Sequence, residues 1–306
     1  MPLPLCSRIK LMQYALLHRF QATLLGAVLG ETIGLHPLQH LNRKSLPKLQ
    51  WAAVTRFYTQ QFLQHNRFDA AEFCEKLMPK TAGETTIALL PVALFFHEDR
   101  LKLRQMLNQV AEQHSAIAQP PSFAVGCAIA EALQEKLDPL TLIPTIITDL
   151  QSQSRDETAS IDQLEQVQKL LNEQAGLETA LDRLTSNSDH DATIGLAFYC
   201  FLSTPHDLRL ALLRAAQTSG RSSIVGALTG ALSGAFNSMS GIPIEWQLAL
   251  DSWEAPSEQI VTQSDLLEMA NRLLASWSGV YNPLTSSKEF RQVAAIAAPQ
   301  VIRKAM

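Results

Sequence analysis

The sequence predicts an all-α protein, and three observations support that prediction. Apolar residues recur at intervals of three and four, as in Leu16, Phe20 and Leu24, which places them on one face of a helix. The apolar and polar alternation of strands is nearly absent. Proline and glycine mainly separate helical segments, for example at residues 119–121 (Gln-Pro-Pro). Together these patterns predict a helical domain of about a dozen helices.

The size and charge of the chain favour one large hydrophobic core and exclude some partners. The 306 residues are 46% hydrophobic and 18% charged, so we expect a single domain over residues 1–306. The net charge is -4, the isoelectric point is near 6.1, and basic residues do not form runs. We therefore expect no nucleic-acid partner.

The N-terminus and the cysteines predict a cytoplasmic protein with buried thiols. The first residues lack an apolar region followed by a small-residue cleavage site, and apolar residues 22–30 and 194–202 are too short to span a bilayer. The cysteines are widely separated, without CxxC spacing, in apolar helical contexts. They are Cys6, Cys74, Cys127 and Cys200.

Residues 151–191 differ from the rest of the chain and are interpreted as a polar helical insert. The segment is rich in Gln, Ser, Asp and Glu, yet it carries apolar residues such as Leu164 and Leu181 at helical spacing. It is either a solvated helical hairpin within the single domain or an arm that binds a partner. The absence of a Pro- or Gly-rich linker argues against a domain boundary here.

Two segments carry glycines spaced four residues apart, so that each predicted helix has a face without side chains. The first contains Gly26, Gly30 and Gly34, and the second contains Gly226, Gly230 and Gly234. Each glycine costs up to about 1 kcal/mol relative to alanine inside a helix. Close helix packing, or a ligand near the backbone, would offset that cost. Both segments are too short for a membrane dimer.

These segments resemble two motifs of the ADP-ribosylglycohydrolase family. Residues 19–34 (RFQATLLGAVLGETIG) are similar to its opening motif, an arginine followed by GALLGLAVGDALG. Residues 220–236 (GRSSIVGALTGALSGAF) resemble the late motif GGDTDTIAAIAGALAGAYYG, and residues 242–246 continue it much like IPxxW. The resemblance implies an ADP-ribosylglycohydrolase-like orthogonal bundle.

Other landmarks follow in the family's order, over nearly the whole chain except the insert. Residues 83–91 (GETTIALLP), which include Glu84, stand where the family has GNGAAMRxxP. His114 stands where the family has a Thr-His pair, and residues 265–277 resemble its terminal helix. Each motif is weak by itself, and their order makes the resemblance specific.

The resemblance implies hydrolysis of the bond between ADP-ribose and an acceptor by a pair of Mg²⁺ or Mn²⁺ ions. Such ions need carboxylate oxygens. The two aspartates of DTDT fall on Arg221 and Ser223, and an arginine would repel a divalent cation. The aspartates of the family's WTDDT fall on Ala53 and Val54, just before a helix predicted from Thr55. The metal pair is therefore predicted to be lost.

Few acids remain near the expected site. Residues 35–67 contain no Asp or Glu, and the family's early glutamate corresponds to about Leu38. The aspartate of its GD pair is here Glu31, which either makes structural hydrogen bonds or survives as a functional carboxylate. His114 is either structural or a base. Residues 189–191 (Asp-His-Asp) either cap a helix or form a metal-like cluster.

Three functional hypotheses follow. In the first, the chain is a catalytically degenerate scaffold that binds a protein partner or a nucleotide-like ligand. Arg221, Ser222 and Ser223 then form an anion-binding corner, unless one of the serines simply caps the helix. In the second, the chain is an active hydrolase that depends on Glu31. In the third, it is an assembly protein that docks through the insert.

Overall fold

The computed structural model describes residues 5–35, 50–65, 81–113, 119–151, 158–186, 192–218, 220–251 and 262–279. Within those ranges the chain forms fourteen α-helices and no strand. The first seven are α1 (Leu5–Leu35), α2 (Gln50–His65), α3 (Ala82–Ala88), α4 (Leu90–Phe95), α5 (Arg100–Gln113), α6 (Gln119–Leu133) and α7 (Leu142–Gln151). The others are α8 (Thr158–Asn172), α9 (Leu177–Thr185), α10 (Thr193–Leu202), α11 (Leu208–Ala215), α12 (Ser222–Asn237), α13 (Ile244–Asp251) and α14 (Gln263–Trp277). The predicted fold class is confirmed.

The two glycine segments pack against each other, as α1 and α12, in an antiparallel pair. Gly26 lies against Gly230, and Gly30 lies against Gly226. A Cβ atom on any of these four glycines would come within 3.0 Å of the facing backbone, closer than real Cβ atoms approach. The glycines therefore let two helix backbones touch, which is the packing explanation that the sequence offered.

Arg19 fixes the other end of this helix pair. Its Nη1 atom donates hydrogen bonds to the carbonyl oxygens of Ala235 (2.8 Å) and Phe236 (2.5 Å), in the last turn of α12. Helix C-termini leave carbonyls without intrahelical partners, and a cation there also interacts favourably with the helix dipole. The arginine of the opening motif is thus a cap for α12.

Several other helices pack against the α1–α12 pair. Helices α6, α10 and α11 pack against α12, whereas α14 packs against α1. Apolar side chains from all these helices form one continuous core, in which Phe20, Phe198 and Phe201 are fully buried. Helix α10 is buried along its whole length. Among the described helices, even α1 lacks an apolar stretch sufficient to cross a membrane.

The described part of the insert consists of α8 and α9, joined by a short turn. Leu164, Val167 and Leu184 belong to the main core, and α8 lies against α10. Gln163 of α8 packs over Gly195, where an added Cβ would come 3.0 Å from its side chain. The hairpin therefore shares the core of the domain. Its deletion would expose apolar surface on α10.

Cys127 and Cys200 are buried free thiols, as predicted. Burial raises the pKa of each thiol to about 12, so both stay protonated at neutral pH. Cys6 and Cys74 lie where the structure describes no side chain.

Candidate ligand-binding site

The start of α12 is fastened to the end of α1. The hydroxyl of Ser222 donates a 2.5 Å hydrogen bond to the carbonyl oxygen of Gly34. Gly34 also has no room for a Cβ atom, because the backbone of Ser222 and Ser223 lies directly against it. The contact fixes the position of the first turn of α12.

Glu31 lies one turn before Gly34 in α1 and is 1% exposed. Its Oε1 atom accepts a 2.9 Å hydrogen bond from the backbone amide of Trp51. This amide belongs to the first turn of α2, where N–H groups have no partner within the helix. The negative charge is favourable beside a helix N-terminus. Glu31 thus acts as a cap for α2 that comes from a different helix.

The starts of α3 and α10 meet the start of α12. A Cβ atom on Gly83, in the first turn of α3, would lie 2.9 Å from both Ile224 Cγ2 and Thr193 Cγ2. Thr193 is the first residue of α10 and is buried. We call this region the N-terminal junction; it comprises the first turns of α2, α3, α10 and α12 and the last turn of α1.

Four of the five helix ends at the junction are N-termini, whereas the end of α1 is a C-terminus with a partial charge of opposite sign. Each helix N-terminus carries a partial positive charge on its first N–H groups. The Thr81 side chain caps α3 by accepting from the amide of Glu84 at 3.2 Å. The N-cap residues of α10 and α12 are Ala192 and Arg221, and neither provides a side-chain cap. Such a region favours anionic ligands.

Five of the six predicted site residues lie in the helix ends that form this junction. Glu31, Glu84 and Arg221 come from three different helix ends, and Ser222 and Ser223 open α12. The alternative in which one of the serines caps α12 differs from the structure, because the N-cap residue is Arg221 and the Ser222 hydroxyl donates to the carbonyl oxygen of Gly34. The Ser222 hydroxyl therefore makes a structural hydrogen bond between α12 and α1. Arg221, by contrast, is exposed.

Two other predicted features fall outside the described residues. They are His114 and residues 189–191. The structure gives Ala192 as the N-cap of α10. Within the described ranges, no three His, Cys, Asp or Glu side chains group closely enough to hold a metal ion.

Two features of the junction were not predicted from the sequence. One is the amide of Trp51, because its partner Glu31 lies twenty residues away in another helix. The other is Thr193, although the polar residues before a long apolar run are typical of a helix start. That second signal was available in the sequence.

His97 was also missed, and it lies away from the junction. It is 1% exposed, with its ring edge-on to Phe20 at 5.4 Å and tilted against Trp277 at 4.8 Å. Its Nδ1 lies 2.8 Å from the carbonyl oxygen of Leu94, near the end of α4. Burial lowers the pKa of His97 to about 4, although the backbone hydrogen bond opposes that shift. The imidazole is neutral at pH 7 and is part of the core.

The described residues form an all-α domain in which the first turns of α3, α10 and α12 lie against one another. Comparison with protein families matches residues 61–283 to the ADP-ribosylglycohydrolase model. The chain belongs to the ADP-ribosylglycohydrolase family. A search of curated proteins finds no match. The family match includes α3, α10 and α12 but begins after Glu31 and the first glycine segment.

Proposed function

We propose that this chain binds ADP-ribose, or a similar nucleotide-like ligand, at the N-terminal junction without hydrolysing it. The observation that carries the proposal is the position of Arg221. Its side chain is exposed at the N-cap of α12, and Ile224 in the first turn of that helix lies against the starts of α3 and α10. By the resemblance, a metal-binding aspartate of the family falls at this position.

The electrostatics of the junction support an anionic ligand. Phosphate oxygens accept hydrogen bonds from N–H groups at helix starts, and an arginine can donate two parallel bonds to one phosphate. The N-cap residues of α10 and α12, Ala192 and Arg221, make no side-chain capping hydrogen bond to those helices. A diphosphate placed here would meet positive partial charges from the helices and a full charge from Arg221.

The donor set does not fit the two metal ions of the family. Mg²⁺ and Mn²⁺ require several converging oxygen ligands, mostly carboxylates. The family's aspartates fall on Arg221 and Ser223, and residues 35–67 contain no acid. Glu31 accepts a hydrogen bond from Trp51 and is held inside the bundle. A metal pair would activate water for hydrolysis, so these substitutions support binding without turnover.

Isothermal titration with ADP-ribose tests the binding. We expect heat with the wild type and an affinity at least about tenfold lower for Arg221→Gln, because one charged hydrogen bond contributes roughly 1.5–3 kcal/mol. Arg209→Gln is the matched control. Arg209 is exposed at the start of α11. It lies near the end of α12 opposite Arg221, because the side-chain amide of Asn237 in the last turn of α12 donates a hydrogen bond to the carbonyl oxygen of nearby Pro205. Absence of heat at millimolar ADP-ribose would refute the proposal. Equal binding by Arg221→Gln would place the ligand elsewhere.

A second candidate is an active hydrolase, which family membership and the buried carboxylate of Glu31 favour. An activity assay distinguishes binding without hydrolysis from an active hydrolase. The protein is incubated at high concentration with an ADP-ribosylated protein, with and without Mg²⁺ or Mn²⁺. We expect no free ADP-ribose. The hydrolase would be established instead if the wild type releases ADP-ribose and Glu31→Gln does not. The Glu31→Gln variant must then stay folded and still bind ADP-ribose.

A further inference from the structure

We draw no further inference here: the strongest candidate, the apolar pair Ile244 and Leu248 on one face of α13, which are 59% and 60% exposed, carries nothing because no described residue shows what covers it.

Discussion

The backbone amide of Trp51 donates a 2.9 Å hydrogen bond to Oε1 of Glu31. The two residues belong to the first turn of α2 and the last part of α1, so one buried carboxylate joins two helices. By the resemblance to the family, Glu31 also stands where the opening motif has the aspartate of its GD pair. The structural and chemical roles of Glu31 can be separated by substitution.

Replacing Glu31 tests its structural role. Glu31→Ala leaves the Trp51 amide without its acceptor inside the protein, and we expect a loss of about 2–3 kcal/mol in the free energy of unfolding. Glu31→Gln keeps an acceptor oxygen for the Trp51 amide and removes the charge beside the helix start, so a smaller loss of about 1 kcal/mol is expected. Urea unfolding measures both values. Full stability in Glu31→Ala would show that the bond to Trp51 contributes nothing.

Adding a methyl group to the glycine face tests the close approach of α1 and α12. Gly26→Ala and Gly230→Ala each gain about 1 kcal/mol of helix propensity. Each new Cβ, however, would overlap backbone atoms of the facing helix, which cannot rotate away. We expect a net loss of at least about 2 kcal/mol, because overpacking separates the helices.

Gly176→Ala is the control for these variants. Gly176 has no atom within 4 Å of the added Cβ, and its φ of -69° suits alanine. Its effect on urea unfolding is expected to stay below about 1 kcal/mol, the usual N-cap preference of glycine over alanine. If Gly26→Ala and Gly176→Ala are equally stable, the helices are not in backbone contact.

Arg221→Asp is expected to change stability and ligand binding in opposite directions. Aspartate is a favoured N-cap, and its charge complements the start of α12, so we expect about 0.5–1 kcal/mol of added stability. The same change removes the cation that the proposed ligand needs, so ADP-ribose binding should disappear. Thermal unfolding and calorimetric titration of one preparation give both results. Lower stability would mean that Arg221 is needed for folding.

The buried imidazole of His97 predicts a pH dependence of stability. Its pKa is lowered from 6.5 to about 4. Above pH 6.5 neither folded nor unfolded protein carries the proton, and His97 has no effect on the pH slope. Below that pH the unfolded chain takes up the proton first, so stability falls by up to about 1.4 kcal/mol per pH unit until pH 4.

His97→Asn isolates this effect, since the Asn amide can donate to the Leu94 carbonyl but does not titrate in this range. Urea unfolding of both proteins between pH 7.5 and 4.5 gives two curves. The wild-type curve should fall more steeply below pH 6.5. Parallel curves would mean that the native ring is accessible to protons.

Tyr199 attaches the α8–α9 hairpin to the core. Its hydroxyl donates to the carbonyl oxygen of Ala175 at 2.5 Å and accepts from Nη2 of Arg214 at 3.1 Å. Tyr199→Phe keeps the ring but removes both bonds, and we expect a loss of about 1–3 kcal/mol because Arg214 is left with an unpaired group. Thr148→Ala, which removes an exposed hydroxyl bond to Pro144, should cost under about 0.5 kcal/mol.

The helices and the close packing of their glycine faces could be predicted, because both depend on short-range patterns. Phe20 and Leu24, which are spaced four residues apart, lie on a buried face of α1. The glycines with the same spacing lie on the faces along which α1 and α12 touch. Burial of one face follows from sequence spacing alone. The spacing does not identify the partner helix, and only the structure shows that the two glycine segments pack against each other.

The errors share one physical cause, which is capping by residues distant in the chain. The sequence predicts that the second helix begins at Thr55, whereas α2 begins at Gln50. The earlier start is stabilised by Glu31, which satisfies the amide of Trp51 from α1. Ser222 likewise bonds to Gly34 rather than to its own helix. Local capping rules do not contain such contacts.

A crystal structure of the protein soaked with MnCl₂ and ADP-ribose tests the central claim most directly. The proposal predicts diphosphate density within hydrogen-bond distance of the Arg221 guanidinium, with the ADP-ribose intact and no anomalous manganese peak at the N-terminal junction. A pair of manganese peaks beside Glu31, or a junction that stays free of ADP-ribose while α12 keeps its position, would contradict it.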